Sequence, residues 1–278
     1  VCVPTWPGSK RSRAMFKAPL DLAKARILVT NDDGIASNGI KVLIRVALAL
    51  SSDVWVVAPW NEQSAVSHSL TIRRPLRIRK IKPRVFTVDG TPTDCVMLAI
   101  EMIMKSARPT LCLSGINRGS NVGEDVTYSG TIAAAMEATL LGVPAIALSQ
   151  SYNSPHAVKW GTAERHAASV IRRVTELGWP RNSLININFP DVLASKVKGV
   201  VAAKQGHHKL SGAIVENRDP RGVPYYWIGD MREEDPSRKG TDIAYVEAGC
   251  ISVTPLHLDL THGPTLRAYA RKFPPPPA

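Results

Sequence analysis

Short apolar runs recur along the chain, each followed by turn-forming residues and then by apolar positions at helical spacing. "RILVT" (26–30) leads into an acidic turn, after which Ile40, Leu43, Ile44, Ala47 and Leu48 repeat at i, i+3, i+4, i+7 and i+8. That spacing is one face of a helix starting near Asn38. "DVWVVAP" (53–59) is a second buried strand. "TPTDCVMLAIEMIMKSA" (91–107) reads as a helix with Thr91 as N-cap and Pro92 in the first turn. "TLCLSGIN" (110–117) is a third strand, "SGTIAAAMEATLLG" (129–142) an Ala-rich helix ended by Gly142, and "VPAIALSQ" (143–150) a fourth strand. A helix over 161–178 and a strand "SLININFP" (183–190) complete the alternation.

Strands and helices alternating at such short intervals predict an α/β fold, a mostly parallel sheet with helices on both faces. Past about residue 195 the pattern changes. "GVVAAKQ", "PYYWIGD" and "GCISVTPLHLDLT" read as a C-terminal β-rich extension or arm. The expected division is a disordered leader over 1–25, a catalytic domain over 26–195, a β-rich oligomerisation region over 196–265 and a Pro-rich tail over 266–278. The opening segment has no signal-type apolar core and no acid before Asp21, so import into an organelle stays open; the cytoplasm is the default expectation.

The 278 residues can bury a sizeable core, and a formal net charge of +12 favours anionic partners. Four cysteines (Cys2, Cys95, Cys112, Cys250) stand far apart with no C-x-x-C pair, which argues against a thiolate zinc site and against a disulfide framework. No apolar run is long enough for a membrane span, so no membrane partner is expected.

Ligands of open parallel sheets sit beyond the carboxyl ends of the strands, so the residues after each strand are the candidate site. These are Asn31, Asp32, Asp33 and Gly34; then Ser64, Ser67, His68 and Ser69; then Asn117, Asn121, Asp125, Ser129 and Thr131; then Ser149 and Gln150. Taken alone, "NDDG" reads as an Asx-type turn. Beside the oxygen-rich third loop it reads as a site for a hard divalent cation, Mg²⁺, Mn²⁺ or Ca²⁺, because two carboxylates are joined by hydroxyl and amide oxygens without Cys or His at ligand spacing. The glycines of "SGINRGSNVGEDVTYSGT" let the backbone approach a ligand, and Ser129-Gly130-Thr131 opens a helix whose N–H groups favour phosphate. P-loop and dinucleotide fingerprints are absent, and Asn31 stands where an aspartyl-nucleophile phosphatase needs its first acid.

"ILVTNDDGIASNGI", "VVAPWNEQSAVSHSLT", "GTPTDCVMLAI", "SGINRGSNVGEDVTYSGTIAAAMEATLLGVPAIALS" and "GTDIAYVEAGCISVTPLHLDLT" together resemble the stationary-phase survival protein SurE family, over roughly residues 26–262. The resemblance implies a Rossmann-like domain, a C-terminal part exchanged between subunits of homodimers or homotetramers, and metal-dependent hydrolysis of nucleoside monophosphates at the 5′ or 3′ position. A polyphosphatase or a broad phosphomonoesterase is the alternative. It further implies a single metal ion held by Asp32, Asp33, Ser64 and Asn117, with Asp32, Asp33 and Asn117 catalytic and Asp32 as general base. Phosphate contacts are implied from Asn121, Ser129, Gly130 and Thr131. The chain departs from the family at "AAKQGHHKL" (202–210), where a Thr-Arg pair is usual, and at Cys250, where an aromatic residue is usual.

Three further features are weaker. "RRPLRIRKIKPR" (73–84) carries seven basic residues in twelve, but alternates and lacks interleaved aromatics, so a charged edge strand is expected rather than a nucleic-acid site. His207 and His208 read as surface residues, and "PYYWIGD" (224–230) as core or intersubunit packing. A rival of another class is a non-catalytic nucleotide- or nucleic-acid-binding module.

Overall fold

The computed structural model describes residues 16, 18–153, 155–210, 214–228, 232–234 and 239–274. In chain order the elements are β1 (Arg26–Thr30), α1 (Asn38–Leu48), β2 (Asp53–Pro59), β3 (Ile78–Lys82), β4 (Val85–Val88), α2 (Pro92–Leu98), β5 (Leu111–Arg118), α3 (Gly130–Leu140), β6 (Ala145–Gln150), α4 (Trp160–Leu177) and β7 (Ser183–Phe189). Then come β8 (Val200–Ala202), β9 (His208–Leu210), β10 (Ile214–Arg218), β11 (Pro224–Ile228), β12 (Arg232–Glu234), α5 (Asp242–Glu247), β13 (Ile251–His257) and α6 (Gly263–Ala270).

One nine-stranded sheet runs β3-β4-β2-β1-β5-β6-β7-β13-β8. Its centre, β4 through β7, is parallel throughout. Strand alternation divides the core into two halves. Ile27 and Val29 face α1 and α4, while Leu28 faces α2 and α3. Because both faces are covered, the strands read as continuous apolar runs, as buried parallel strands do.

The predicted strands and helices fall within a few residues of their expected places, with one difference in the second helix. Thr91 caps α2 through a reciprocal pair with Asp94, but α-geometry stops at Leu98 and a π-helical segment carries the chain over Ala99–Ile103. The basic segment forms β3, exposed along its length at the sheet edge and paired antiparallel to β4, as expected of an edge guarded by charge.

Two expected boundaries move. Of the leader assigned to 1–25, residues 1–15 and 17 lie outside the described residues, and the last part is packed. Phe16, Leu22 and Ala25 are buried, and Phe16 meets Trp179 edge-on at 6.1 Å. An aromatic and a leucine placed to reach the α4 end bury apolar area that a free arm would leave in water. The C-terminal β region is not a separate unit either, since β13 inserts antiparallel beside β7 and β8 pairs with β13. What stands apart is the hairpin β10–β11 and the short pair β9–β12. Past β13, α6 occupies part of the expected tail, and residues 275–278 lie outside the described residues.

Chain order places a crevice. From β1 the chain crosses to β2 on one side, and it later returns to β5 on the other, so β1 and β5 meet at the switch point of the sheet. Loops leaving two such strands diverge and open a cleft at their carboxyl ends. Gly39 brings the first turn of α1 against β5: a Cβ there would lie 1.9 Å from the Ile116 carbonyl oxygen.

Candidate functional site

Asn31 builds the turn after β1. Its Nδ2 donates to the Gly34 carbonyl (3.0 Å) and to Ser37 Oγ (2.9 Å), and Ser37 caps α1 by accepting from the Ile40 N–H. With the turn made by Asn31, the adjacent acids are not needed for it. Turn and site thus divide residue by residue: Asn31 serves the turn, while Asp32 meets Thr131 of α3 and Asp33 meets the Arg118 N–H of β5.

Asp32 is only 5% exposed and rests on the N-terminus of α3. Thr131 Oγ1 donates to its Oδ1, and the Thr131 backbone N–H also favours its charge. The helix start that the sequence assigns to phosphate is thus shared with this carboxylate. Ser129 is used as the N-cap, its Oγ accepting from the Ile132 N–H at 3.1 Å. Gly130 is required by proximity: a Cβ would lie 2.7 Å from Asp32 Cβ. Burial nevertheless dominates and raises the Asp32 pKa. Asp33 is pushed up to about 7 by burial and by the neighbouring Asp32 charge.

The loop after β2 closes one flank. Gln63 N–H donates to the Asp32 carbonyl at 2.8 Å, which brings Ser64 to the crevice with its hydroxyl donating to Glu62 Oε1 at 2.7 Å. Glu62 adds a third negative charge that acts on both aspartates. Ala65 and Ser67 hold left-handed backbone conformations, φ 55° and 53°. Such a backbone needs anchoring. Ser67 supplies it through Thr127 and Tyr128 carbonyls, and His68 through an Nε2–Oε2 contact of 2.9 Å to the buried Glu137 of α3.

The loop after β5 closes the other flank. Arg118 N–H donates to Asp33 Oδ2 at 3.3 Å, and Asn117 Nδ2 donates to the Gly119 carbonyl, leaving its amide oxygen as the atom it can offer. Asn121 is not at the crevice surface. It is buried in a polar network with Ser149, Asn186 and Asn188, donating to Ser149 Oγ at 2.8 Å. The network holds the loop rather than offering a group to solvent. Asp242, fully buried, ties the same loop to the C-terminal half by accepting from Gly123 N–H (3.2 Å) and Gly206 N–H (2.8 Å). The segment that departs from the family pattern therefore lies against this loop. Gln205 donates to the Gly123 carbonyl, and the exposed His207 pairs with Glu124 at 2.9 Å, while the side chain of His208 lies outside the described residues.

Among the described residues, no three His, Cys, Asp or Glu side chains gather as a metal cluster. The expected set of four does not require one. Asp32 keeps Oδ2 beside its Thr131 bond and Asp33 keeps Oδ1 beside its Arg118 bond, while Ser64 and Asn117 keep oxygen lone pairs. Oxygen donors with two carboxylates fit a hard divalent cation, and the burial that raises both acids is what a cation would offset.

Glu62, Glu137 and Asp242 were missed by sequence reasoning. Asp242 ends the short string "GTD", in which Thr241 caps α5, so it reads as an ordinary first-turn acid; its loop partners lie 119 and 36 residues away. Among the described residues, no helix is long and apolar enough to cross a membrane.

The chain matches the family model for Survival protein SurE over residues 27–212. A 5′-nucleotidase SurE of Paramagnetospirillum magneticum is 58% identical over 258 residues, covering 93% of this chain and 99% of that protein. The 5′-nucleotidase SurE of Parvibaculum lavamentivorans is 52% identical over 246 residues, 87% of this chain and 89% of that protein. The crystal structure of SurE protein from Aquifex aeolicus matches with a TM-score of 0.78 at 39% identity, covering 89% of this chain and 99% of that one.

Proposed function

Starting from a chain that belongs to the survival protein SurE family, we propose that it is a divalent-metal-dependent nucleotidase that hydrolyses nucleoside monophosphates to nucleoside and phosphate. The observation that carries this reading is the adjacent pair Asp32–Asp33 at the switch point of the sheet, Asp32 buried on the N-terminus of α3 and Asp33 half-buried against the Arg118 N–H. An acid pair with a helix start beside it suits a phosphoryl group bound together with a cation. The names of the relatives support the nucleotide as substrate.

Asp32, Asp33, Ser64 and Asn117 would hold the ion. When bound, it neutralises charge growing on the phosphoryl oxygens. Thr131 fixes Asp32 Oδ1 against the start of α3, and Asp32 is the group that takes the proton of the attacking water. The Gly130–Thr131 backbone meets the remaining phosphoryl oxygens, and the P–O bond to the nucleoside breaks as the bond to water forms. The all-exposed β3 face, with Arg79 over Trp60 at 5.4 Å, supports a solvated edge over a polynucleotide track.

The test is phosphate release from nucleoside 5′- and 3′-monophosphates and polyphosphate, with Mg²⁺, Mn²⁺ or EDTA. Release from monophosphates that EDTA abolishes is the expected result. Folded protein that releases none under any condition would leave the binding module as the better reading.

The subunit assembly is part of the same proposal. In the single chain, β11 is exposed throughout rather than buried in a core, with Trp227 65% and Ile228 86% exposed. A two-stranded hairpin is marginal in water, and large contiguous apolar surface marks an interface. We assign it to a homodimer or homotetramer contact. Trp227→Glu combined with Ile228→Glu is expected to lower the mass measured by light scattering to that of a smaller species. An unchanged mass would place the contact elsewhere.

A further inference from the structure

We propose that Arg118, braced by Tyr152, is the nucleoside platform of this site and determines its preference for nucleotides over simple phosphomonoesters; this rests on the nucleotidase reading above.

Two sides of the crevice are taken. Asp32 and the start of α3 form its floor, and the loop of Glu62 and Ser64 is tied down on the β2 flank. A substrate whose phosphoryl group sits on the acid pair must therefore extend its sugar and base along the β5–β6 flank. That flank is where Arg118 and Tyr152 lie. Pairing of Asn117 with Ser149 and of Arg118 with Gln150 sets the two strand ends level, and Tyr152 follows two residues later.

Arg118 has a divided geometry. Its backbone N–H is bound to Asp33 Oδ2 at 3.3 Å, fixing the residue beside the acids. Its side chain runs to Tyr152 instead, with Cζ 4.9 Å from the ring centroid and Nη2 3.5 Å from the phenol oxygen. A guanidinium braced by an aromatic ring has lost much of its conformational freedom before any ligand arrives. The residue is exposed, so the guanidinium plane remains open to a ligand. Such planes stack on nucleobases, each of which presents a π-face whatever its hydrogen-bonding pattern. Stacking predicts tolerance among bases but discrimination against substrates without one.

The charge adds to this. Glu62, Asp32 and Asp33 repel an incoming phosphate, and Arg118 is a cation whose charge acts on Asp33. A purely electrostatic role would survive replacement by lysine. A platform would not, because an ammonium has no plane to stack.

The experiment compares adenosine 5′-monophosphate with ribose 5-phosphate, for wild type, Arg118→Ala and Arg118→Lys. The expected result is that the preference in kcat/KM for the nucleotide falls about tenfold or more in both variants, carried by KM. Equal loss on ribose 5-phosphate, or full rescue by lysine, would overturn the platform. Equilibrium binding of adenosine 5′-monophosphate in EDTA separates this proposal from the reaction. Binding weakened about tenfold by Arg118→Ala, together with no turnover by the wild type when Mg²⁺ or Mn²⁺ is supplied, would sink the nucleotidase reading and leave the platform standing. Unaltered binding in both variants would sink the platform itself.

Discussion

Asp32→Asn is expected to cut turnover of nucleoside monophosphates by about 10³-fold or more while the protein melts no lower than the wild type. The loss follows from what the carboxylate does: an amide neither takes a proton from water nor offers a charged ligand to a cation. The stability expectation follows from burial. Desolvation holds Asp32 above the ordinary carboxylate range, and Asp33 is pushed up to about 7 by burial and by Asp32. A folded-state pKa above the unfolded one means the fold binds the extra proton. That contribution is fully present below the ordinary pKa near 4 and is lost as pH rises through about 7. At pH 8 without metal, Asp33 is ionised beside Asp32, whose charged form burial disfavours. The Asn variant has no acid to ionise at position 32, and Thr131 can still donate to its amide oxygen. Calorimetry at pH 8 in EDTA should show a midpoint equal to or roughly 2–5 °C above the wild type, a gain that shrinks toward pH 4. Near-full activity in the folded variant would remove Asp32 from the chemistry.

Part of this arrangement is legible in the sequence because it is local. β1 and β2 coincide with the runs read at 26–30 and 53–59, since buried parallel strands leave unbroken apolar segments. The caps at Ser129 and Thr91 follow from residue type and spacing. The acids are legible through position, because polar residues after a strand of an open sheet converge on one edge. What is not legible depends on distant pairs. Nothing near Ile251–His257 says that it will insert beside β7 rather than form an arm, because its ladder partners, such as Asn188 for Ser252, lie far back along the chain. Glu137 looks like an ordinary polar position on an Ala-rich helix until His68 reaches it from the loop after β2. The family resemblance implies Asn121 as a phosphate contact, yet the strand-borne asparagines Asn186 and Asn188 draw it inward. A buried amide with that many partners is structural before it is anything else.

Gly130→Ala is expected to lower turnover by about 10²-fold and to lower the melting temperature by a few degrees, the second-largest effect on turnover among these variants. Gly130 does not need a left-handed backbone, so conformation alone does not exclude alanine at this first helical position. Space is what is lacking. The new methyl would lie 2.7 Å from Asp32 Cβ and 3.0 Å from Oδ2, contacts too close to hold. Either the carboxylate leaves Thr131 or the helix start withdraws from β1, and both separate the base from the groups that hold the phosphoryl oxygens. Because the two changes act on one contact, their effects should not add: Gly130→Ala placed on Asp32→Asn is expected to cost almost nothing further. Near-wild-type turnover in the single variant would mean that Asp32 need not sit on the α3 N-terminus during the reaction. Full additivity in the double variant would mean that Gly130 acts through something other than Asp32.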